Sequence, residues 1–439
     1  MATLIFSILI LLLVLVFLGV HIAVALGAAS ALGVYFLLGS ADIALSVLSG
    51  TAYEALRKDI FIVIPLFVLM GAFVSRSGAA KDIYTISNRG FRKIPGCLAV
   101  ATVSGNSVFA AITGVSIASA ATFSRIAYPE MVALGYRKSY ALGVISGSAC
   151  LGMLIPPSIL MIIWAVLTEI SIGALFIAGL LPGVLLALFF VAYCVVVAKL
   201  NPQIAPPCPA HAFEEDIDPA QRRSELVSSL AILGLIAIVI GGIWGGFLTP
   251  TEAAGFGAMG AFIVGLLKGM RGKEILEAIH GAGKTTAPIM ILLITASMYS
   301  RFLAMGGAVG VIHETMYSIS ENPMVLLSMI FAIWLLLGMF IDSTSIILLT
   351  VPIFAPIATL LGVNELAFAI FGILVIEAGL LTPPFGLLIY TVKAAVPDQS
   401  VTLGMIFRGA IPYWIMILIV AVLILVFPFL TTWLPQNLL

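Results

Sequence analysis

The chain has 439 residues, of which 62% are hydrophobic and 9% charged, with Lys+Arg and Asp+Glu balanced at 20 each. A soluble domain carries about 25% charged residues; this composition excludes a soluble fold, and the apolar residues fall in blocks near the ~20 needed to cross a hydrocarbon core. Zero net charge gives no support for nucleic-acid binding, and the four cysteines (Cys97, Cys150, Cys194, Cys208) lack the spacing of a zinc site or a disulfide framework and read as packing residues.

The first apolar block runs from Ala2 to about Leu18. It has no basic leading region and no small-residue cleavage site, so it reads as a retained helix and not as a signal peptide. Further spans are predicted at about 22–39, 61–77, 137–168, 172–198, 227–243, 250–267, 284–303, 366–396 and 409–430. Residues 96–128 and 324–358 are too long for one helix and too short for two with a proper loop, and each has polar or glycine residues in its middle. Both read as re-entrant hairpins, which a membrane tolerates only where irregular backbone is buried in protein or lines a wet cavity.

Basic residues set the orientation, because short cytoplasmic loops carry the excess of Lys and Arg. With the N-terminus outside, 16 of the 20 fall on cytoplasmic segments, among them Arg92, Lys93, Arg137, Lys138, Lys268, Arg271 and Lys393. An N-terminus on the periplasmic side of a bacterial inner membrane is therefore expected.

The stretch 201–226 is rich in proline and charge and reads as a cytoplasmic linker between halves 1–200 and 227–439. Shifting the second half back by 227 residues aligns Gly33 with Gly260, Ser116 with Ser343, Pro129 with Pro356, Gly152 with Gly379, and Pro156-Pro157 with Pro383-Pro384. Each half then holds about five transmembrane helices, one of them broken, plus a re-entrant hairpin. An odd number of crossings inserts the second half upside down. The predicted fold is an all-α polytopic membrane protein of two inverted-topology repeats.

Gly152 and Gly379 open the segments GMLIPPSILMII and GLLTPPFGLLIY. Proline lacks an N–H and clashes with the carbonyl four residues back, so a Pro-Pro pair opens a helix and frees carbonyl oxygens. Free carbonyls at mid-membrane suit a cation, and the N-termini of the half-helices suit an anionic group. Each broken span should face the tip of its own hairpin. The first tip offers Thr113, Gly114 and Ser116; the second offers Gly338, Asp342, Ser343, Thr344 and Ser345. Hydroxyl and carbonyl oxygens of this kind suit Na⁺. Of the acidic residues, Asp342 and Glu377 are open between a structural pairing and a role in the site, Glu252 suggests helix-start chemistry, and Glu169 an outer surface position. The segment HGAGKTT from His280 resembles a phosphate loop but has Ala278 where the pattern needs glycine. Four scattered histidines and the absence of GxSxG or HExxH leave an enzyme without support.

Several segments resemble a known family, the large membrane subunit of TRAP (tripartite ATP-independent periplasmic) transporters within the ion-transporter superfamily. They are IPLFVLMGAFVSRSG from Ile64, YPEMVALGY from Tyr128, LGMLIPPSI from Leu151, SIGALFIAGLLPG from Ser171, FLTPTEAA from Phe247 and GLLTPPFG from Gly379. One departure is Gly114-Val115-Ser116 where the family has Gly-Ser-Ser. The resemblance implies an elevator-type transporter that uses Na⁺ as coupling ion, at about two sites, with no organic cofactor. By motif, one site would involve Thr113, Ser116, Gly152, Ile155 and Pro157, and the other Gly338, Gly379, Thr382 and Phe385. Substrate would sit between the hairpin tips, near Ser116, Ser158 and Asp342. The implied partners are a small four-helix membrane subunit and a periplasmic substrate-binding protein, with membrane lipid around them. The implied substrate is a small organic acid: sialic acid, a C4-dicarboxylate or a sugar acid. A stand-alone anion symporter of the same superfamily, and a channel or non-transporting scaffold subunit, are the alternatives.

Overall fold

The computed structural model describes residues 1–207 and 219–438. Among these residues the secondary structure is entirely helical. The apolar N-terminal block forms α1 (Ala2–Phe17), followed by α2 (Ile22–Leu38) and α3 (Ala41–Arg57). A 3-10 turn at Asp59–Ile62 leads into α4 (Val63–Arg76), and α5 (Ala79–Phe91) follows. The segment read as the first hairpin holds α6 (Cys97–Thr113) and α7 (Ser116–Ala133), joined at Gly114-Val115. Next come the pieces of the first broken span, α8 (Lys138–Ala149), α9 (Leu151–Leu154) and α10 (Ile159–Thr168), then the long α11 (Ile172–Leu200).

After the linker, α12 (Pro219–Trp244), α13 (Pro250–Leu267), α14 (Gly272–Gly306) and α15 (Ala308–Ile319) precede the second helix pair, α16 (Pro323–Gly338) and α17 (Ser343–Leu360). The second broken span is α18 (Glu365–Gly379) and α19 (Leu387–Ala395), and the chain closes with α20 (Leu403–Val426) and α21 (Phe429–Leu438). Among the described residues, eight helical stretches are long and apolar enough to cross a membrane, while α1, α2 and α6 are apolar but shorter.

Some elements differ from the sequence reading. The second half is already helical at Pro219, well before residue 227; linker residues 208–218 lie outside the described residues. Helix α14 has 35 residues, roughly 50 Å at ~1.5 Å per residue, so it extends beyond the span expected at 284–303. HGAGKTT lies wholly inside this helix and offers no loop to cradle a phosphate. Thr249 and Glu252 form a reciprocal capping box on α13, the helix-start role expected of Glu252. Glu169 is exposed and pairs with Lys58 at 3.1 Å. Cys150 and Cys194 are buried free thiols; Cys97, against expectation, is disulfide-bonded, and Cys208 lies outside the described residues.

The two halves interlock. Helix α4 packs on α13 and α2 packs on α14, while α8 packs on α20 and α11 on α18. Each pair exchanges under the 227-residue shift. The α8–α20 crossing depends on glycine: a Cβ on Gly409 would stand 1.9 Å from Ser139 O, and one on Gly143 2.0 Å from Gly409 O. Ion pairs also join the halves. Arg76 meets Glu277 and Arg89 meets Glu225, each at 2.7 Å, Lys138 meets Asp398 at 2.6 Å, and Lys268 meets Asp82.

Candidate functional site

Both Pro-Pro segments interrupt their helices, and each is met by a hairpin tip. In the first, α9 ends at Leu154 and α10 starts at Ile159, with Ser158 as its N-cap. The α6–α7 tip turns at Gly114, with φ +60°, where a side chain is strained; its missing Cβ would also stand 2.6 Å from Pro157 O. The tip docks on the break directly, since Ile159 N donates to Gly114 O at 3.3 Å. A Cβ on Gly152 would lie 3.0 Å from Ser116 N and from Val115 C. Thr113, Ser116, Gly152, Ile155 and Pro157 are thus brought together.

The second break repeats this construction. Gly386 N donates to Met339 O at 3.4 Å; residues 159 and 386 differ by the same 227 positions, while the acceptor lies two residues earlier in the second hairpin than Gly114 does in the first. A Cβ on Gly338 would stand 2.6 Å from Gly379 Cα, so two glycines let the helices touch at the backbone. Thr382 Oγ1 donates to Ala378 O at 2.8 Å and accepts from Trp414 Nε1 at 3.0 Å. The Phe385 ring rests on Phe340, with centroids 5.8 Å apart. Gly338, Gly379, Thr382 and Phe385 therefore also converge.

At each place a helix C-terminus and a helix N-terminus meet. Carbonyls at the ends of α6 and α9 present partial negative charge, suited to a cation. N–H groups at the starts of α7 and α10 present partial positive charge, suited to a carboxylate. The first break is buried throughout, from Leu151 to Leu160, whereas Pro383, Pro384 and Phe385 are exposed. The second site opens near a cavity of about 370 Å³ that Gly19, His21, Asp342, Ser345 and Leu387 help to line.

The residues considered for substrate contact divide. Ser158 is fully buried; its Oγ donates to Met153 O at 2.6 Å and accepts from Met161 N at 3.4 Å, so its hydroxyl closes the broken helix. Asp342 caps α17, its carboxylate accepting from Ser345 N at 3.1 Å, and its outer edge reaches the cavity. Thr113 donates to Phe109 O at 3.0 Å, the ordinary back-bond of a helical threonine, which leaves its carbonyl as the group free to act. Ser116 is fully buried, and its Oγ has no hydrogen-bond partner.

Glu377, open in the sequence between two roles, lies at the centre. It is 1% exposed and occupies the last turns of α18 before the second break. Ser343 Oγ, at the second hairpin tip, donates to its Oε1 at 2.7 Å. Ser116, at the first tip, neighbours the same carboxylate, and neither Ser116 Oγ nor Glu377 Oε2 has a hydrogen-bond partner. Two residues equivalent under the 227-residue shift therefore flank one acid. That shift, applied to the hairpin hydroxyls, is the signal by which sequence reasoning could have placed it; nothing in the sequence marks Trp414.

Comparison with known proteins agrees in one direction. A family model described as "Tripartite ATP-independent periplasmic transporter, DctM component" matches residues 9–430. The C4-dicarboxylate TRAP transporter large permease protein DctM of Pseudomonas aeruginosa is 34% identical over 377 residues, covering 85% of this chain and 86% of that protein. The sialic acid TRAP transporter large permease protein SiaM of Vibrio cholerae is 29% identical over 380 residues, 85% of each. In fold, the chain is similar to the crystal structure of the Alcanivorax borkumensis YdaH transporter, with a TM-score of 0.63 at 13% identity over 90% of this chain and 88% of that one.

Proposed function

The chain belongs to the DctM component family of tripartite ATP-independent periplasmic transporters, and from this premise we propose that it is the large, transport-catalysing subunit of a Na⁺-coupled, binding-protein-dependent carrier importing a small organic acid. The observation that carries the proposal is the paired docking of each hairpin on its own Pro-Pro break, with a backbone hydrogen bond from the equivalent donors 159 and 386 to the hairpin facing each. Two inverted repeats account for that pairing and for the reciprocal helix contacts. One Na⁺ is held by Thr113, Ser116, Gly152, Ile155 and Pro157, and a second by Gly338, Gly379, Thr382 and Phe385, mostly through carbonyls. The substrate carboxylate is received between the tips, by the N-termini of α7 and α17 and by Ser116 and Asp342.

Hairpins, broken spans and the helices packed on them move as one body against α1–α4 and α12–α14, in an elevator cycle. The N-terminus faces the periplasm. A small four-helix membrane subunit packs on the static part, and a periplasmic binding protein delivers the substrate, as the word tripartite in the family's name supports. Relatives named for C4-dicarboxylates and sialic acid support the organic-acid class. The test is uptake into proteoliposomes holding the chain with its small subunit. Uptake should need both an inward Na⁺ gradient and the binding protein; uptake indifferent to both would overturn the proposal.

A further inference from the structure

The geometry points to a third cation site, shared by the two halves and built from Glu377, Ser116 and Ser343, which holds one Na⁺ against Glu377 Oε2. This inference rests on the Na⁺-coupled reading above and adds a site to the two that lie within single halves. Its basis is buried oxygens left without partners. A carboxyl group buried at mid-membrane is costly unless its oxygens are paired, and Glu377 is 1% exposed with no cationic side chain bonded to it among the described residues. Ser343 satisfies Oε1 at 2.7 Å. Oε2 and Ser116 Oγ, the latter on a residue 0% exposed that neighbours this carboxyl group, both lack a partner.

Two neighbouring unpaired oxygens, one of them from a carboxyl group, are hard donors of the kind that hold an alkali or alkaline-earth cation. A single monovalent ion fits the charge, because the 227-residue shift sets Cys150 opposite Glu377 and the pair has one carboxylate in place of two. Cys150 is buried and close enough to feel that charge, so the asymmetry lies at the site itself. The ligands come from the tip of the first hairpin, the tip of the second and the end of α18. Withdrawal of either tip removes an oxygen, so the ion binds fully only when both tips are closed. A cation held this way links the two breaks and makes their closure cooperative.

Equilibrium binding of radiolabelled Na⁺ to the purified full-length protein tests this, together with the Na⁺ dependence of uptake and with melting in Na⁺-free buffer. Glu377→Gln keeps the acceptor for Ser343 and removes the charge. It should bind one Na⁺ fewer per protein, lower the Hill coefficient for Na⁺, and melt without Na⁺ at or above the wild-type temperature. Ser343→Ala, which removes an oxygen of this site and of neither Na⁺ site above, should raise the half-saturating Na⁺ concentration about 10- to 100-fold. Should Glu377→Gln fail to fold, the Ser343→Ala titration decides, and an unshifted one overturns the site. If the wild type binds Na⁺ and Glu377→Gln binds the same number, this site is overturned and the coupling reading stands. A wild type that binds no Na⁺ overturns both.

Discussion

Thr382 shows how one side chain can serve fold and site together. Its hydroxyl ties the last turn of α18 through Ala378 O and receives the indole N–H of Trp414 from α20. Truncation to alanine leaves that N–H without its acceptor in a partly buried place, a cost of about 1–3 kcal/mol. Thr382→Ala should therefore raise the Na⁺ concentration needed for half-maximal uptake and lower the melting temperature, and Thr382→Ser should restore both. Unchanged Na⁺ activation in the alanine variant would remove this ligand from the second site. On the cytoplasmic side expected from the charge pattern, Asp398 accepts from Lys138 Nζ at 2.6 Å, Tyr128 at 2.9 Å and Ser400 at 2.7 Å. Those donors, Lys138 first, hold its carboxyl well below the usual range. Its contribution is therefore present above pH ~4 and is lost only as the pH falls further, which leaves the network intact through the neutral range.

Among the elements, the crossing of α8 and α20 has the tightest backbone approach. Gly143 and Gly409 face each other there, and Gly147 gives room to the ring of Tyr413. At Gly143 and Gly409 no side chain can yield, because the obstructing atoms there are backbone. Gly409→Ala should destabilise the protein by at least the ~1–3 kcal/mol typical of overpacking, seen as a lower melting temperature in detergent. A variant as stable as the wild type would mean that the two helices separate without cost. The amphipathic elements show what a search for spans overlooks. Helix α3 buries Ala44, Leu48 and Ala55, a narrow stripe, and α5 buries Asp82 and Asn88 with its apolar residues. Both are too polar to read as spans, and their helicity comes from packing against neighbours. Helix α15 packs on α17 and α14 and escaped the sequence reading for the same reason.

Across the whole molecule, α5 is fastened to the second half by charge. Asp82 pairs with Lys268, with side chains 12% and 18% exposed, and Arg89 pairs with Glu225. These pairs are shielded enough to matter, unlike Arg76–Glu277, whose side chains are 51% and 42% exposed and which is worth about 0–1 kcal/mol. Lys268→Glu places two carboxylates together and should cost about 1–3 kcal/mol after allowance for partial exposure. The exchange Asp82→Lys with Lys268→Asp should recover most of that loss in melting temperature and in uptake. If the double variant melts no higher than Lys268→Glu alone, the pair does not join the halves.

The sequence by itself determined the solvent, the helical class, the two interrupted spans and their internal equivalence. These follow from local properties: apolar run length, the missing proline N–H, and a constant spacing between Gly-x-Leu-x-Pro-Pro segments. Tertiary structure decided which oxygens are free. Ser158 and Ser116 are both buried serines beside a break, yet Ser158 closes its own helix while Ser116 is left to face Glu377. Only the packing of one half against the other could decide this, because Ser116, Ser343 and Glu377 meet across 261 residues of chain, a contact that no local pattern encodes.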